Sequence, residues 1–253
     1  MGRSLRHSHK VRTGVPIALA GRRILVTGGT SGIGLAVCRR LLHDGAKVFT
    51  FSHDESHVEK GRKALPDAFV GQGDQGHFED VTRLVQEAEE ALGGLDAVVV
   101  NAGIGASSVT TMATEAWSYS MNVNLLGPMH LASVVAPRIK AAGGGHMLFV
   151  GSMSSKTRGG GGDVYVAAKL GLHGFVDSFA KGVSNWNINA CLIEPGLVLT
   201  DMTAENHPAQ EEMIARGEML VPGDIAEAVS FLLVQPPRVC IPLFQIRPRT
   251  QLI

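Results

Sequence analysis

The sequence predicts an α/β fold, a single domain in which a doubly wound parallel sheet is flanked by helices. Three observations carry this reading: short apolar runs of strand length recur, amphipathic segments of helix length separate them, and a glycine-rich turn joins the first strand to the first helix. The strand runs are Ile24–Val26, Val48–Phe51, Ala68–Val70, Ala97–Val100, Met147–Val150 and Ala190–Ile193. Helical periodicity covers Ile33–His43, Glu79–Leu92, Trp117–Leu126 and Val164–Ser184, long enough for crossovers between parallel strands. Right-handed crossovers then set the glycine turn, Asn101, Ser152 and Pro195 at the carboxyl ends of strands, the edge where ligands bind in such sheets. A length of 253 residues suits one such domain. The domain is assigned to residues 21–253, after a basic leader of residues 1–20 with the character of a flexible tail.

The turn itself reads Thr27-Gly28-Gly29-Thr30-Ser31-Gly32-Ile33-Gly34, directly after Arg23-Ile24-Leu25-Val26 and directly before an apolar helical pattern. Glycines there let backbone approach a pyrophosphate, and the helix N-terminus offers free N–H groups and the positive end of its dipole. A glycine turn alone also serves simple chain reversal, so its place between strand and helix is what makes it a nucleotide site.

The second chemical signal is Tyr165-Val-Ala-Ala-Lys169, with Ser152 thirteen residues before the tyrosine. Positions i and i+4 share a helix face, so the Lys169 ammonium can stand beside the Tyr165 phenol. A free phenol titrates near 10, too high for base chemistry at neutrality, and a neighbouring cation is expected to lower it. Ser154 and Ser155 crowd the same stretch and read as turn or cap residues.

Gly28-x-x-x-Gly32-x-Gly34, Asn101-Ala102-Gly103, Asn124, Ser152, Tyr165, Lys169 and Pro195-Gly196 followed by Thr200 occur in the order found in the short-chain dehydrogenases/reductases, which this chain resembles from about Gly21 to its end. The resemblance implies a Rossmann fold, an NAD(P)-dependent interconversion of ketone or aldehyde and alcohol, and a dimer or tetramer built on the helices near Trp117 and Tyr165. It implies Ser152, Tyr165, Lys169 and Asn124 as the catalytic set, with Asn124 steadying a relay water. Dinucleotide contacts carry over to Gly28, Thr30, Ser31, Gly32, Ile33, Gly34, Ser52, His53, Asp74, Asn101, Ala102, Gly103, Tyr165, Lys169, Pro195, Gly196, Val198, Thr200 and Met202. In this scheme Asp74 meets adenine and Thr200 the nicotinamide carboxamide. Ser152, Met153, Gly160, Tyr165, Leu197 and Met202 are expected at the substrate. The chain end, Pro236 to Gln251, looks like the branch containing broad 3-hydroxy-acid dehydrogenases and antibiotic-pathway carbonyl reductases.

Cofactor choice is read at the end of the second strand, where an acid would bind both ribose hydroxyls and repel a 2′-phosphate. That position holds Ser52, followed by His53, which tilts the expectation to NADP(H) over NAD(H). Against the tilt, no arginine follows Ser52, Ser31 stands where NADP users often carry a base, and Asp54 could turn toward a ribose.

Composition narrows the classes further. The chain carries 23 basic and 23 acidic residues, so no net field attracts nucleic acid or an anionic membrane. No apolar run reaches the roughly 18 residues of a membrane span. Cys38, Cys191 and Cys240 are scattered without metal-ligand spacing, and reduced thiols fit a cytoplasm. His53 and His57 sit at i and i+4 without the adjacent glutamate of zinc hydrolases, and Gly-x-Ser-x-Gly does not occur. Met202, Met213 and Met219 lie among polar residues between Leu197 and Leu220, which reads as an adaptable flap over substrate. Met153, Leu197 and the run Gly159 to Gly162 favour an uncharged substrate, although Arg158 and Arg216 leave room for a carboxylate. Two other functions fit the fold: a nucleotide-binding regulator without turnover, and an epimerase or dehydratase that regenerates its cofactor.

Overall fold

A computed structural model describes residues 19–160, 162–204 and 209–251. Most of the basic leader, Gly161 and part of the flap region lie outside the described residues. Among these residues seven strands form one sheet: β1 (Arg23–Thr27), β2 (Lys47–Ser52), β3 (Phe69–Gln72), β4 (Ala97–Val100), β5 (Gly145–Val150), β6 (Ile188–Pro195) and β7 (Leu243–Ile246). Every pairing is parallel and the order is β3-β2-β1-β4-β5-β6-β7. The chain winds outward from β1 to β3, returns to β4 beside β1, and winds the other way to β7. A crevice therefore opens between the carboxyl ends of β1 and β4, where the loops depart in opposite directions.

The helices are α1 (Gly32–His43), α2 (Glu55–Ala64), α3 (Phe78–Leu92), α4 (Thr114–Met121), α5 (Gly127–Ala141), α6 (Ser154–Thr157), α7 (Asp163–Val183), α8 (Asp201–Ala204), α9 (Gln210–Ala215) and α10 (Pro222–Leu233). Alternation along the strands feeds two cores. Leu25, Val98, Val100, Met147, Phe149 and Leu192 face the layer of α3, α5 and α7, whereas Ile24, Val26, Val99, Leu148, Cys191 and Ile193 face α1 and α10. Burial on both faces is why these strands read as unbroken apolar runs.

The structure adds elements that the pattern left out. α2 buries only Val58 and Gly61, so it has almost no apolar residues from which to read a helix. α10 packs beside α1 through Ile225, Ala226, Val229, Leu232 and Leu233 and leaves Phe231 exposed on its other face, and β7 is four residues at a sheet edge between Pro242 and Pro248. The helix expected at Trp117–Leu126 is instead α4, a π-type turn over Asn122–Leu126, and a continuation into α5. Pro128 directly follows the π-type turn, which accommodates its missing N–H within the continuous run, and Pro137 lies within α5. Those prolines hid a continuous element.

At the opposite end of the sheet His146 is buried, with Nδ1 3.3 Å from Arg22 Nη2 and Nε2 unpartnered. Burial, and then the Arg22 charge, lower its pKa from an ordinary value near 6.5 to about 4. The neutral ring contributes fully above pH 6.5. Between 6.5 and 4 the unfolded chain takes a proton that the fold refuses, so stability falls there by about 3 kcal/mol. Urea unfolding at pH 7 and near pH 4 should show a smaller acid loss for His146→Gln than for the wild type. Equal losses would place the acid sensitivity elsewhere.

Candidate active site

The glycine turn is built by steric necessity. Gly28 and Gly32 have φ of 66° and 48°, and a Cβ on Gly28 would stand 2.9 Å from Ala102 Cα. Thr50 in β2 pins the turn from below, with its hydroxyl accepting from Gly29 N at 2.9 Å and donating to Val26 O at 2.7 Å. From β4, Asn101 Nδ2 donates to the carbonyls of Thr27 and Gly28, while Asn101 N and Ala102 N donate to Thr27 Oγ1. Asn101 thus locks the turn as well as bordering the crevice. Ser31 precedes α1 in an extended conformation without a side-chain cap, so the first N–H groups of α1 remain open to the crevice. Open N–H groups, absent Cβ atoms and a positive dipole end together fit a dinucleotide pyrophosphate.

The crevice widens into a cleft of about 970 Å³ along the carboxyl edge of the sheet. Its walls include Thr30, Ser31, Ile33, Ser52, His53, Asp74, Ala102, Gly103, Ser152, Met153, Tyr165 and Lys169, and beyond β6 Pro195, Gly196, Leu197, Val198, Thr200 and Met202. Three expected residues do not border it. Gly34 lies behind the turn, where a Cβ would run into the Gly28 carbonyl oxygen, and Gly160 faces open space. Asn124 is fully buried in the π-type turn, accepting from Ile104 N at 3.2 Å and donating to Ile104 O, Ser120 O and Ser120 Oγ. It braces the loop after β4 from behind.

Ser152 follows β5, and α7 delivers Tyr165 and Lys169 from one face. Lys169 Nζ lies 5.7 Å from the Tyr165 ring centroid and donates to Val150 O at 3.1 Å. Burial of this lysine, 4% exposed, lowers its pKa to about 8. Burial also raises the Tyr165 phenol, with Ser152 pulling it partway back. The sign differs from the acidified phenol expected from spacing alone, because burial costs both groups solvation and shifts each toward its neutral form.

At the β2 end Ser52 is buried and His53 and His57 border the cleft. Asp54 turns away to cap α2, accepting from His57 N at 3.0 Å and Ser56 Oγ at 2.6 Å. Asp74 accepts from Gly76 N at 2.7 Å and from the Tyr119 hydroxyl at 2.8 Å.

Residues 22–211 match the short chain dehydrogenase family. The chain belongs to that family. An uncharacterized oxidoreductase of Staphylococcus saprophyticus is 30% identical over 238 residues, covering 92% of this chain and 99% of the relative. One from Staphylococcus aureus is 29% identical over 233 residues, covering 91% and 98%. A metagenomic short-chain oxidoreductase crystallised with NADP superposes with a TM-score of 0.78 at 27% identity, over 91% of this chain and 99% of that one. A 3-ketoacyl-(acyl-carrier-protein) reductase from Brucella melitensis, TM-score 0.83 at 23% identity over 91% and 98% of the two chains, shares the fold. The protein is thus a short-chain dehydrogenase with a Rossmann-like fold, an NAD(P)-dependent oxidoreductase acting on small molecules.

In this short-chain dehydrogenase several contributors escaped the sequence reading. Gln75 ties the loops together, donating to Ala102 O and Val123 O. Gln251 accepts from Leu197 N at 3.0 Å and borders the cleft, so the chain end reaches the β6 loop. Thr203 anchors the root of the 197–220 segment by donating to Val198 O. No local signal marks a glutamine 54 residues away from its partner. Arg158 folds back onto Ser155 O, and Arg216 pairs with Glu212 and Glu218. Neither borders the cleft. Among the described residues no group of three His, Cys, Asp or Glu could hold a metal, and no helix is long and apolar enough to cross a membrane.

Proposed function

We propose that this dehydrogenase is an NADPH-dependent reductase of uncharged ketones or aldehydes, running equally as an alcohol dehydrogenase in reverse. The observation that carries the substrate class is the wall around Ser152 and Tyr165: Ile104, Met112, Met153, Leu197 and Met202 line it, and Lys169 is the one lysine or arginine on the whole described cleft. Asp201 also borders this end and would repel a carboxylate.

A bound nicotinamide supplies the hydride to the carbonyl carbon, or takes it in the reverse direction. Ser152 donates a hydrogen bond to the carbonyl oxygen, and Tyr165 gives that oxygen its proton as charge develops. Lys169, with a single acceptor at Val150 O, has donors free for ribose hydroxyls. With a pKa of about 8 it remains cationic at neutral pH, and its charge opposes the upward push of burial on the phenol. The glycine turn and the N-terminus of α1 hold the pyrophosphate. Leu199 N donates to Leu220 O and Leu220 N to Leu197 O, so the ends of the 197–220 segment are pinned together beside the cleft, which supports its reading as a flap over substrate.

The NADPH preference is supported by Ser52, His53 and His57 at the β2 end and by the engagement of Asp54 as a helix cap. Ser52→Asp should turn the ratio of kcat/KM toward NADH by about 10-fold or more, since a carboxylate there repels a 2′-phosphate and accepts from ribose hydroxyls. An unchanged ratio would remove Ser52 from the ribose pocket. The function is tested by following nicotinamide absorbance with NADPH and NADH across neutral and acidic carbonyls. Cofactor binding without consumption for any substrate would favour a regulator, and product without net absorbance change an epimerase. A homo-oligomer is supported by Met129 on α5 and Leu170 on α7, both exposed.

A further inference from the structure

Glu194 is the last residue of β6 before Pro195, fully buried, and has no part in the proton transfer described above. Burying a carboxylate is costly unless its oxygens are satisfied, and here three elements satisfy them. Ser155 Oγ donates to Oε1 at 2.6 Å, His173 Nδ1 lies 2.8 Å from the same oxygen, and Gln245 Nε2 of β7 donates to Oε2 at 2.7 Å. Burial pushes the carboxyl up, but these hydrogen bonds outweigh it and hold it below the usual value. His173 Nε2 in turn faces Asp177 at 3.4 Å.

Each donor sits on a segment that carries chemistry. Ser155 is itself fully buried and is the second residue of α6, with its N–H donating to Ser152 O. His173 stands at i+8 from Tyr165 and i+4 from Lys169, on the same face of α7. The backbone pairs of Gly151 N with Ile193 O and Met153 N with Pro195 O fix the Ser152 loop to β6 on one side, and on its other side Ser155 is held to the same strand through its side chain on Glu194. A side chain that grips this loop with one oxygen and the same oxygen's other lone pair grips α7.

We propose that Glu194 is a positioning residue whose carboxylate joins the Ser152 loop to the α7 face bearing Tyr165 and Lys169, and so sets the spacing of the two hydroxyls that meet the substrate oxygen. The inference rests on the roles given to Ser152 and Tyr165. Its consequence is that cutting the Ser155 link alone disturbs proton transfer without emptying the dinucleotide site.

Ser155→Ala removes one hydroxyl and severs that link, and Glu194→Gln keeps an acceptor oxygen for Ser155 and His173. In the NADPH-loaded enzyme, Ser155→Ala should lower kcat by about 10- to 100-fold with KM and NADPH affinity within about twofold, because ångström-scale misplacement is enough to cost that much. Glu194→Gln should stay within about fivefold of the wild type, since the acceptor geometry is retained. Wild-type kcat for Ser155→Ala, or a parallel fall in NADPH affinity, would overturn the positioning role. A readout independent of turnover is available because the chain has two tyrosines. In a Tyr119→Phe background the near-ultraviolet phenolate signal belongs to Tyr165, and Ser155→Ala should raise its titration midpoint by displacing Ser152. An unmoved midpoint overturns the proposal even if no carbonyl in the panel is reduced, whereas a raised midpoint in an enzyme inactive on carbonyls would refute only the proposed reaction.

Discussion

Tyr165→Phe is expected to lower kcat for carbonyl reduction by about 1,000-fold, with NADPH affinity changed by less than about twofold. The ring keeps its packing beside Lys169, whose Nζ lies 5.7 Å from the centroid, so the substitution removes one oxygen and little else. What is lost is the proton donor to the developing alkoxide, while Ser152 still donates its hydrogen bond. Single-turnover absorbance with pre-bound NADPH separates the two quantities. A variant retaining a tenth of wild-type turnover would show that another group supplies the proton and would remove Tyr165 from the centre of the reaction.

Gly34→Ala is expected to destabilise the fold by about 3 kcal/mol and to weaken NADPH binding severely. A methyl at this position runs into the Gly28 carbonyl oxygen and falls 2.5 Å from Asn101 Nδ2. Both are parts of the brace that holds the glycine turn against β4, so neither can yield without moving the backbone that meets the pyrophosphate. Gly160→Ala is the matched control. A Cβ there meets nothing within 4 Å, so its stability and cofactor affinity should stay within about 0.5 kcal/mol of the wild type. Urea unfolding and NADPH fluorescence titration measure both variants. A Gly34→Ala protein as stable as Gly160→Ala would mean that the turn tolerates the displacement.

The sheet was legible because its five inner strands, β2, β1, β4, β5 and β6, are apolar on both faces, and such runs are visible to a reading of local pattern. β7 was not, since Leu243 and Gln245 are exposed and only its pairing with β6 makes Leu243–Ile246 a strand. α10 lacked a polar stripe because its exposed face holds Gly223 and Phe231 beside a single charge, Glu227, and the continuation of α4 into α5 was masked by Pro128. Asp54 could be read either as a ribose acid or as a cap. Its bonds to Ser56 and His57 decide for the cap.

The order of motifs along the chain by itself determined the fold class, the family, and the meeting of Gly28, Ser152, Tyr165 and Lys169 at one edge, because right-handed crossovers leave few other ways to wind alternating strands and helices. Only the tertiary structure decided the protonation balance of Tyr165 and Lys169, the retreat of Gly34 and Asn124 behind the cleft wall, and the gathering of Ser155, His173 and Gln245 on Glu194. Those outcomes depend on solvent exclusion and on contacts between residues far apart in the chain. Spacing along a sequence carries neither.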